Sequence, residues 1–275
     1  MSSSLQSTIR DLQLRRGRER RGLTLAEGVR LVEEALAAGV PVRGAAVSPA
    51  LEGTPRGKAL KAALVAKGAR LEEVGDPELE KLADTEHPQG IVAIIEPARW
   101  GLHHIDLHRG GVVLVLDAVQ DPGNVGTMLR TAHALGAAGV VALKGTAELT
   151  SPKVIRGSMG ALFRFPCVPA DEPAFLEWSR ASRLPLWIAA ADGDPLDRPD
   201  RPDRPDRPDR PDRPDRPDRP DLRLALVLGN EGAGVGPGLS AAAQRRVAIR
   251  LRPGAESLNV AIAAAILLHE VLRDR

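Results

Sequence analysis

The sequence predicts an α/β protein in two parts: a compact N-terminal α/β domain and a C-terminal domain built on a parallel sheet. Three observations lead there. Helical and extended apolar patterns alternate along most of the chain. Residues 112–116 (VVLVL) and 224–228 (LALVL) are unbroken apolar runs, as expected for strands covered on both faces. Residues 111–143 read strand, helix, strand, a crossover that sets neighbouring strands parallel. With 275 residues, the chain is long enough for two cores.

Residues 1–22 begin polar and turn basic, with Arg10, Arg15, Arg16, Arg18, Arg20 and Arg21 opposed only by Asp11 and Glu19. Such a cluster suits phosphate contacts, because guanidinium pairs with phosphate oxygens at two points; a solvated helix is the plainer alternative. Residues 26–38 carry helical apolar spacing and stop at Gly39. Residues 42–47 read as a strand and 57–67 as a helix; 71–74 form a short strand, 77–83 a short helix and 90–95 (GIVAII) another strand. The expected first domain is residues 1–97. A linker over 98–110 contains His103, His104 and His108, without the carboxylates or cysteines that a metal site would add. No metal is expected.

The second domain, residues 111–275, opens with the 112–116 strand. A helix follows to about residue 135, with Asn124 able to cap it, and then a strand over 139–143. Residues 151–161 predict a helix, 165–168 a strand, 173–180 a helix and 186–190 a strand. Residues 198–221 are eight repeats of Arg-Pro-Asp. Proline at every third position excludes helix and central strand, so the tract reads as an extended, mobile insert without a chemical role. Residues 224–228 resume the sheet, and a helix is expected over 238–243. The last stretch, residues 249–271 (IRLRPGAESLNVAIAAAILLHEV), places Ser257 as a helix cap ahead of a helix apolar on nearly every face. Such a helix should be buried, with the positive end of its dipole available to an anion or a ligand's polar edge.

Composition narrows the function classes. Hydrophobic content of 43% and charged content of 27% are ordinary for a soluble globular protein. The aromatic share of 2%, with no Tyr, argues against an aromatic platform for single-stranded nucleic acid. A net charge of +2 leaves nucleic-acid affinity to local patches. The lone Cys167 excludes an internal disulfide and fits a reducing compartment. There is no signal-peptide pattern and no apolar run of membrane length. The expectation is a cytoplasmic protein that does not enter a membrane.

Polar residues gather after three predicted strands, at the strand ends where open α/β sheets bind ligands. They are Asn124 and Arg130, then Asn230 and Glu231, then Ser257 and Asn259. Gly232, Gly234 and Gly236 do not have dinucleotide-fingerprint spacing, which disfavours a nicotinamide enzyme.

The motifs DPGNVGTMLRTA (residues 121–132), LGNEGAG (228–234) and PGAESLNV (253–260) resemble, in order, the three motifs of SpoU-type RNA ribose methyltransferases. SPKVIRGSMGALFRFP (151–166) is similar to the segment between the first two motifs. AEGVRLVEEAL and the HPQGIVAI stretch resemble the ribosomal-protein-like substrate-binding domain that often precedes that catalytic domain. The resemblance implies a C-terminal trefoil knot, a homodimer, and S-adenosyl-L-methionine held by backbone near Leu228, Gly229, Ile249, Leu251 and Leu258. It implies methylation of an RNA ribose 2'-hydroxyl, ribosomal RNA being favoured by the N-terminal domain. By the same resemblance, Arg130 activates the hydroxyl and Asn124 orients Arg130 or the ribose. Glu231 helps hold the site, and Ser257 and Asn259 position substrate and backbone. Arg15, Arg16, Arg18, Arg20 and Arg21 would contact RNA. A transfer-RNA ribose methyltransferase, a non-catalytic RNA-binding protein and a small-molecule methyltransferase remain as alternatives.

Overall fold

The computed structural model describes residues 4–107, 111–196, 223–255 and 257–272. The Arg-Pro-Asp tract, His108 and Glu256 lie outside the described residues. The chain divides into two compact units.

The first unit comprises Met1–Trp100, Gln120–Thr131 and Thr146–Cys167. It opens with helices α1 (Leu5–Gln13) and α2 (Arg15–Arg21). Strands β1 (Thr24–Glu27), β2 (Val42–Val47), β3 (Leu71–Glu73) and β4 (Ile91–Ile95) form a sheet in the order β1-β4-β2-β3. The β2–β3 pair is parallel; β4 runs antiparallel to both β1 and β2. Helices α3 (Val29–Ala37), α4 (Pro55–Ala66) and α5 (Asp76–Glu80) connect the strands. Leu5, Ile9 and Leu12 of α1 fall on one helical face and pack into a core with Leu25, Ala46, Val74, Leu79, Leu82, Val92 and Ile94. Burying each such Leu or Ile contributes about 1.5–3 kcal/mol. The N-terminal helix is therefore part of the core and not a solvated appendage. Two later helices belong here as well: α6 (Pro122–Ala134), as far as Thr131, and α7 (Pro152–Ser158).

The second unit comprises Gly101–Val119, Ala132–Gly145 and Val168–Arg275. Its strands are β5 (Gly111–Leu116), β6 (Gly139–Leu143), β7 (Cys167–Ala170), β8 (Leu186–Pro195), β9 (Arg223–Leu228) and β10 (Arg245–Ala248). They form one sheet in the order β10-β8-β9-β5-β6-β7. The β5–β6, β5–β9, β8–β9 and β8–β10 pairs are parallel. Every residue of β5 and β6, and all of β9 except Arg223, is buried, as the unbroken apolar runs require. Helices α8 (Glu172–Ala181), α9 (Pro237–Ala242) and α10 (Val260–Leu272) complete the order of elements. The parallel-sheet α/β class expected from the sequence is the class observed.

Several boundaries differ from expectation, each for a local reason. The helix expected from residue 26 begins at Val29, because Ala26 and Glu27 pair with Ala93 and Val92 in the sheet. Gly28 then turns the chain at φ 91°. The helix expected over 151–161 ends at Ser158, where Met159 is left-handed at φ 49°, and a short 3-10 turn follows over Ala161–Phe163. The strand expected over 186–190 runs on to Pro195 as β8, where it pairs with β10 (Arg245–Ala248). Its pairing with β10 shifts between Arg246 and Val247, from Ile188 to Asp194. The terminal helix is only partly covered: Ala261, Ala264, Leu267, Leu268 and Leu272 are buried, whereas Ile262 and Ile266 are 51% and 37% exposed.

Candidate active site

In the second unit the C-terminal edge of the sheet carries a tightly built loop. Asp117, directly after β5, donates its backbone N–H to the Leu228 carbonyl at 2.8 Å. Its carboxylate accepts from the Gly236 N–H at 2.7 Å. Between Leu228 and Gly236 the backbones of Asn230 and Gly234 exchange hydrogen bonds of 3.0 and 2.9 Å. The Asn230 side chain completes the loop. Its Nδ2 donates to the Ala118 carbonyl at 3.1 Å, and its Oδ1 accepts from Gly232 and Ala233, both at 3.0 Å. Only glycine fits at 229, where a Cβ would lie 2.2 Å from the Gly234 carbonyl carbon. The result is an exposed turn that presents Glu231. Asp117 was missed from sequence; its signal is a carboxylate directly after an unbroken apolar strand.

Residues 249–259 leave the same edge after β10. Ile249 and Leu251 are half-buried, Ser257 and Asn259 exposed, and Leu258 is a leucine left 39% exposed. The expected cap at Ser257 is corrected: Asn259 Oδ1 accepts from Ala261 N–H at 2.9 Å and from Ile262 N–H at 3.3 Å. Its side chain therefore satisfies first-turn donors that were expected to face an anion.

In the first unit α6 is capped by Asp121, whose Oδ1 accepts from the Asn124 N–H at 2.7 Å. Asn124 is thus inside the first turn and not the cap, and its half-buried side chain is spared that task. Arg130 is exposed, with no ion-pair partner among the described residues. Gly126 of α6 lies against Gly157 of α7, with no side chain between them.

The N-terminal arginines separate into kinds. Arg18 is 7% exposed and does not face solvent. It donates to both Glu148 carboxylate oxygens, at 2.9 and 2.5 Å, and to the Leu12 and Gln13 carbonyls, each at 2.8 Å. The expectation of an Arg18 phosphate contact is corrected, because its fork of donors is already used inside the fold. Arg15 pairs with Glu19 at 2.7 Å, and Arg20 and Arg21 both pair with Asp11, which they hold below the usual carboxylate range. Arg16 is exposed, with no partner among the described residues. Among the described residues, no cluster of three or more His, Cys, Asp or Glu is arranged to hold a metal ion. No helix among them is long and apolar enough to cross a membrane.

The SpoU rRNA Methylase family matches residues 111–269, and the MRM3-like substrate binding domain matches residues 7–93. The chain is 34% identical over 191 residues to the 23S rRNA (guanosine(2553)-2'-O)-methyltransferase of Bacillus subtilis (strain 168), covering 69% of this chain and 67% of that protein. It is 29% identical to the 23S rRNA (uridine(2479)-2'-O)-methyltransferase of Streptomyces viridochromogenes, covering 95% of this chain and 86% of that one. Its fold is similar to the AdoMet-bound rRNA methyltransferase from Sinorhizobium meliloti, with a TM-score of 0.81 and 28% identity, covering 99% of this chain and 95% of that one. The three motif regions, in their order and with the loop and cap geometry above, all fall inside the matched span: the chain belongs to the SpoU rRNA methylase family.

Proposed function

We propose that the chain transfers a methyl group from S-adenosyl-L-methionine to a ribose 2'-hydroxyl of 23S ribosomal RNA. One observation carries this reading. The family match over residues 111–269 takes in the helix with Asn124 and Arg130, the Asn230 loop and the Asn259 cap together. Similar chains that act on 23S RNA support ribosomal RNA over transfer RNA.

The residues present suit the donor. Leu258 and Leu251 offer uncovered apolar surface for a purine face, and the turns at Leu228–Gly229 and Ile249 offer backbone groups for its polar edges. When bound, it would supply an electrophilic methyl on a sulfonium, with a thioether as the leaving group. Arg130 then donates hydrogen bonds to the developing ribose alkoxide, because a guanidinium rarely loses its own proton in proteins. The 2'-hydroxyl proton passes to an RNA phosphate oxygen. Asn124 orients Arg130 or the sugar, and Glu231 braces the site. With Asn259 Oδ1 committed to α10, substrate contact in that segment falls to Ser257. Exposed Arg16, together with Arg15, Arg20 and Arg21, contacts phosphates.

The same reading assigns residues 1–97 to RNA binding, 98–110 to a linker and 111–275 to catalysis, with the C-terminal segment threaded as a trefoil knot. It also assigns a homodimer: Ile262 and Ile266, one turn apart on α10, leave exposed apolar surface suited to a second copy. The cytoplasm is the proposed compartment.

Purified protein given labelled donor and RNA from cells lacking it should label 23S RNA, and Arg130→Ala should lose transfer while still binding donor. Unchanged turnover in Arg130→Ala removes the role given to Arg130. Label appearing in transfer RNA alone moves the substrate to the rival class.

A further inference from the structure

We infer that the N-terminal elements of the first unit form the positioning frame for the helix bearing Asn124 and Arg130, with Arg156 and the Gly126–Gly157 crossing as the link. The inference rests on the role proposed for Arg130. Four fastenings hold residues 148–164 to the N-terminal elements. Buried Arg18 grips Glu148 through two nitrogens. The Thr24 hydroxyl donates to the Thr150 carbonyl at 2.6 Å. Arg156 donates to Asp84 at 2.9 Å and lies 3.7 Å from Glu27. Arg164 donates to Glu34 at 2.6 Å. Glu27 is fixed in turn by the N–H groups of Asp84 and Thr85, at 2.8 and 3.2 Å, and by the Thr85 hydroxyl.

Arg156 bears a cost for its place, since its Nη1 is buried without a hydrogen bond. One residue on, Gly157 meets Gly126 backbone to backbone. A Cβ on Gly126 would fall 2.8 Å from the Gly157 Cα and 2.9 Å from the Val154 carbonyl oxygen. A Cβ on Gly157 would fall 3.2 Å from the Gly126 Cα. No rotatable side chain stands between the helices to absorb a displacement, so a shift of α7 is passed to α6. Gly126 lies one turn before Arg130 on that helix. Transfer chemistry depends steeply on such placement, a misplacement of about 1 Å costing roughly a hundredfold in rate.

The test is single-turnover methyl transfer at saturating RNA and donor, with both dissociation constants measured separately. Arg156→Gln should slow transfer about ten- to a hundredfold, and Arg156→Lys should restore part of the loss, while both affinities stay within about twofold. Combined with Arg130→Lys, Arg156→Gln should cost less than the product of the separate losses, because both act through one guanidinium. Gly157→Ala requires a shift of only a few tenths of an ångström, so it should fold and show the same loss of rate at unchanged affinity. A loss confined to RNA affinity, an unchanged rate in Arg156→Gln or Gly157→Ala, or full multiplicativity with Arg130→Lys overturns the inference. Failure of the wild type to transfer label to RNA instead removes the functional reading itself, and full activity in Arg130→Ala removes the role of Arg130 on which the inference rests, so the failures are distinguishable.

Discussion

Removing the Arg18 guanidinium leaves the half-buried Glu148 carboxylate without its cation and the Leu12 and Gln13 carbonyls without their donor. Hydrogen bonds to charged groups contribute about 1.5–3 kcal/mol, so Arg18→Ala should destabilise the fold by at least that much. Its pH dependence is distinctive. Burial alone would raise the Glu148 carboxyl, but hydrogen bonds from Arg18 and the Thr150 hydroxyl outweigh burial and hold it below its ordinary 4.5. A carboxyl depressed by folding contributes in full above that ordinary value and loses the contribution as pH falls through the folded one. The stability gap between wild type and Arg18→Ala should therefore be widest near neutrality and narrow below about pH 4.5. Denaturant unfolding across that range is the measurement, and a gap independent of pH would refute the pairing.

Helix ends show how local chemistry decides between similar candidates. Ser257 and Asn259 both have side chains able to cap α10, and only Asn259 does so. Asn259→Ala should cost about 1 kcal/mol, and Ser257→Ala much less, read from thermal or denaturant midpoints. Equal losses would show that the cap is shared. The same choice arises at α6, where Asp121 takes the role open to Asn124. Sequence alone could not separate these pairs, because Asn, Asp and Ser cap comparably and the chain's entry angle selects among them. The sheet was legible for the opposite reason: runs such as 112–116 and 224–228 admit only burial on both faces, and they are strands β5 and β9. The start of α3 was misjudged because the groups that fix Glu27 lie 57 and 58 positions further along. Arg18 was misjudged because its carboxylate partner is 130 positions away. At the candidate site the three motif regions were legible as segments of the family match, whereas Asp117, which ties Gly236 to the end of β5, lies outside all three.

Association is the property of the whole molecule most open to test. Ile262 and Ile266 leave apolar surface on α10 that burial in a second copy would remove from water, at about 25 cal/mol per Å². Ile262→Lys should place a charge in that contact and shift sedimentation from dimer to monomer, with little effect on the fold because this position is already open to solvent. A wild-type monomer at micromolar concentration removes the proposal. The loop from Leu228 to Gly236 has a thermodynamic consequence. Its conformation is held by its own backbone, by the Asn230 side chain and by the Asp117 carboxylate, with no contribution from a donor. Capture of the donor should then carry only a small entropic penalty. Asn230→Ala should make that penalty visible by calorimetry, as weaker binding whose deficit is entropic at nearly constant contact enthalpy.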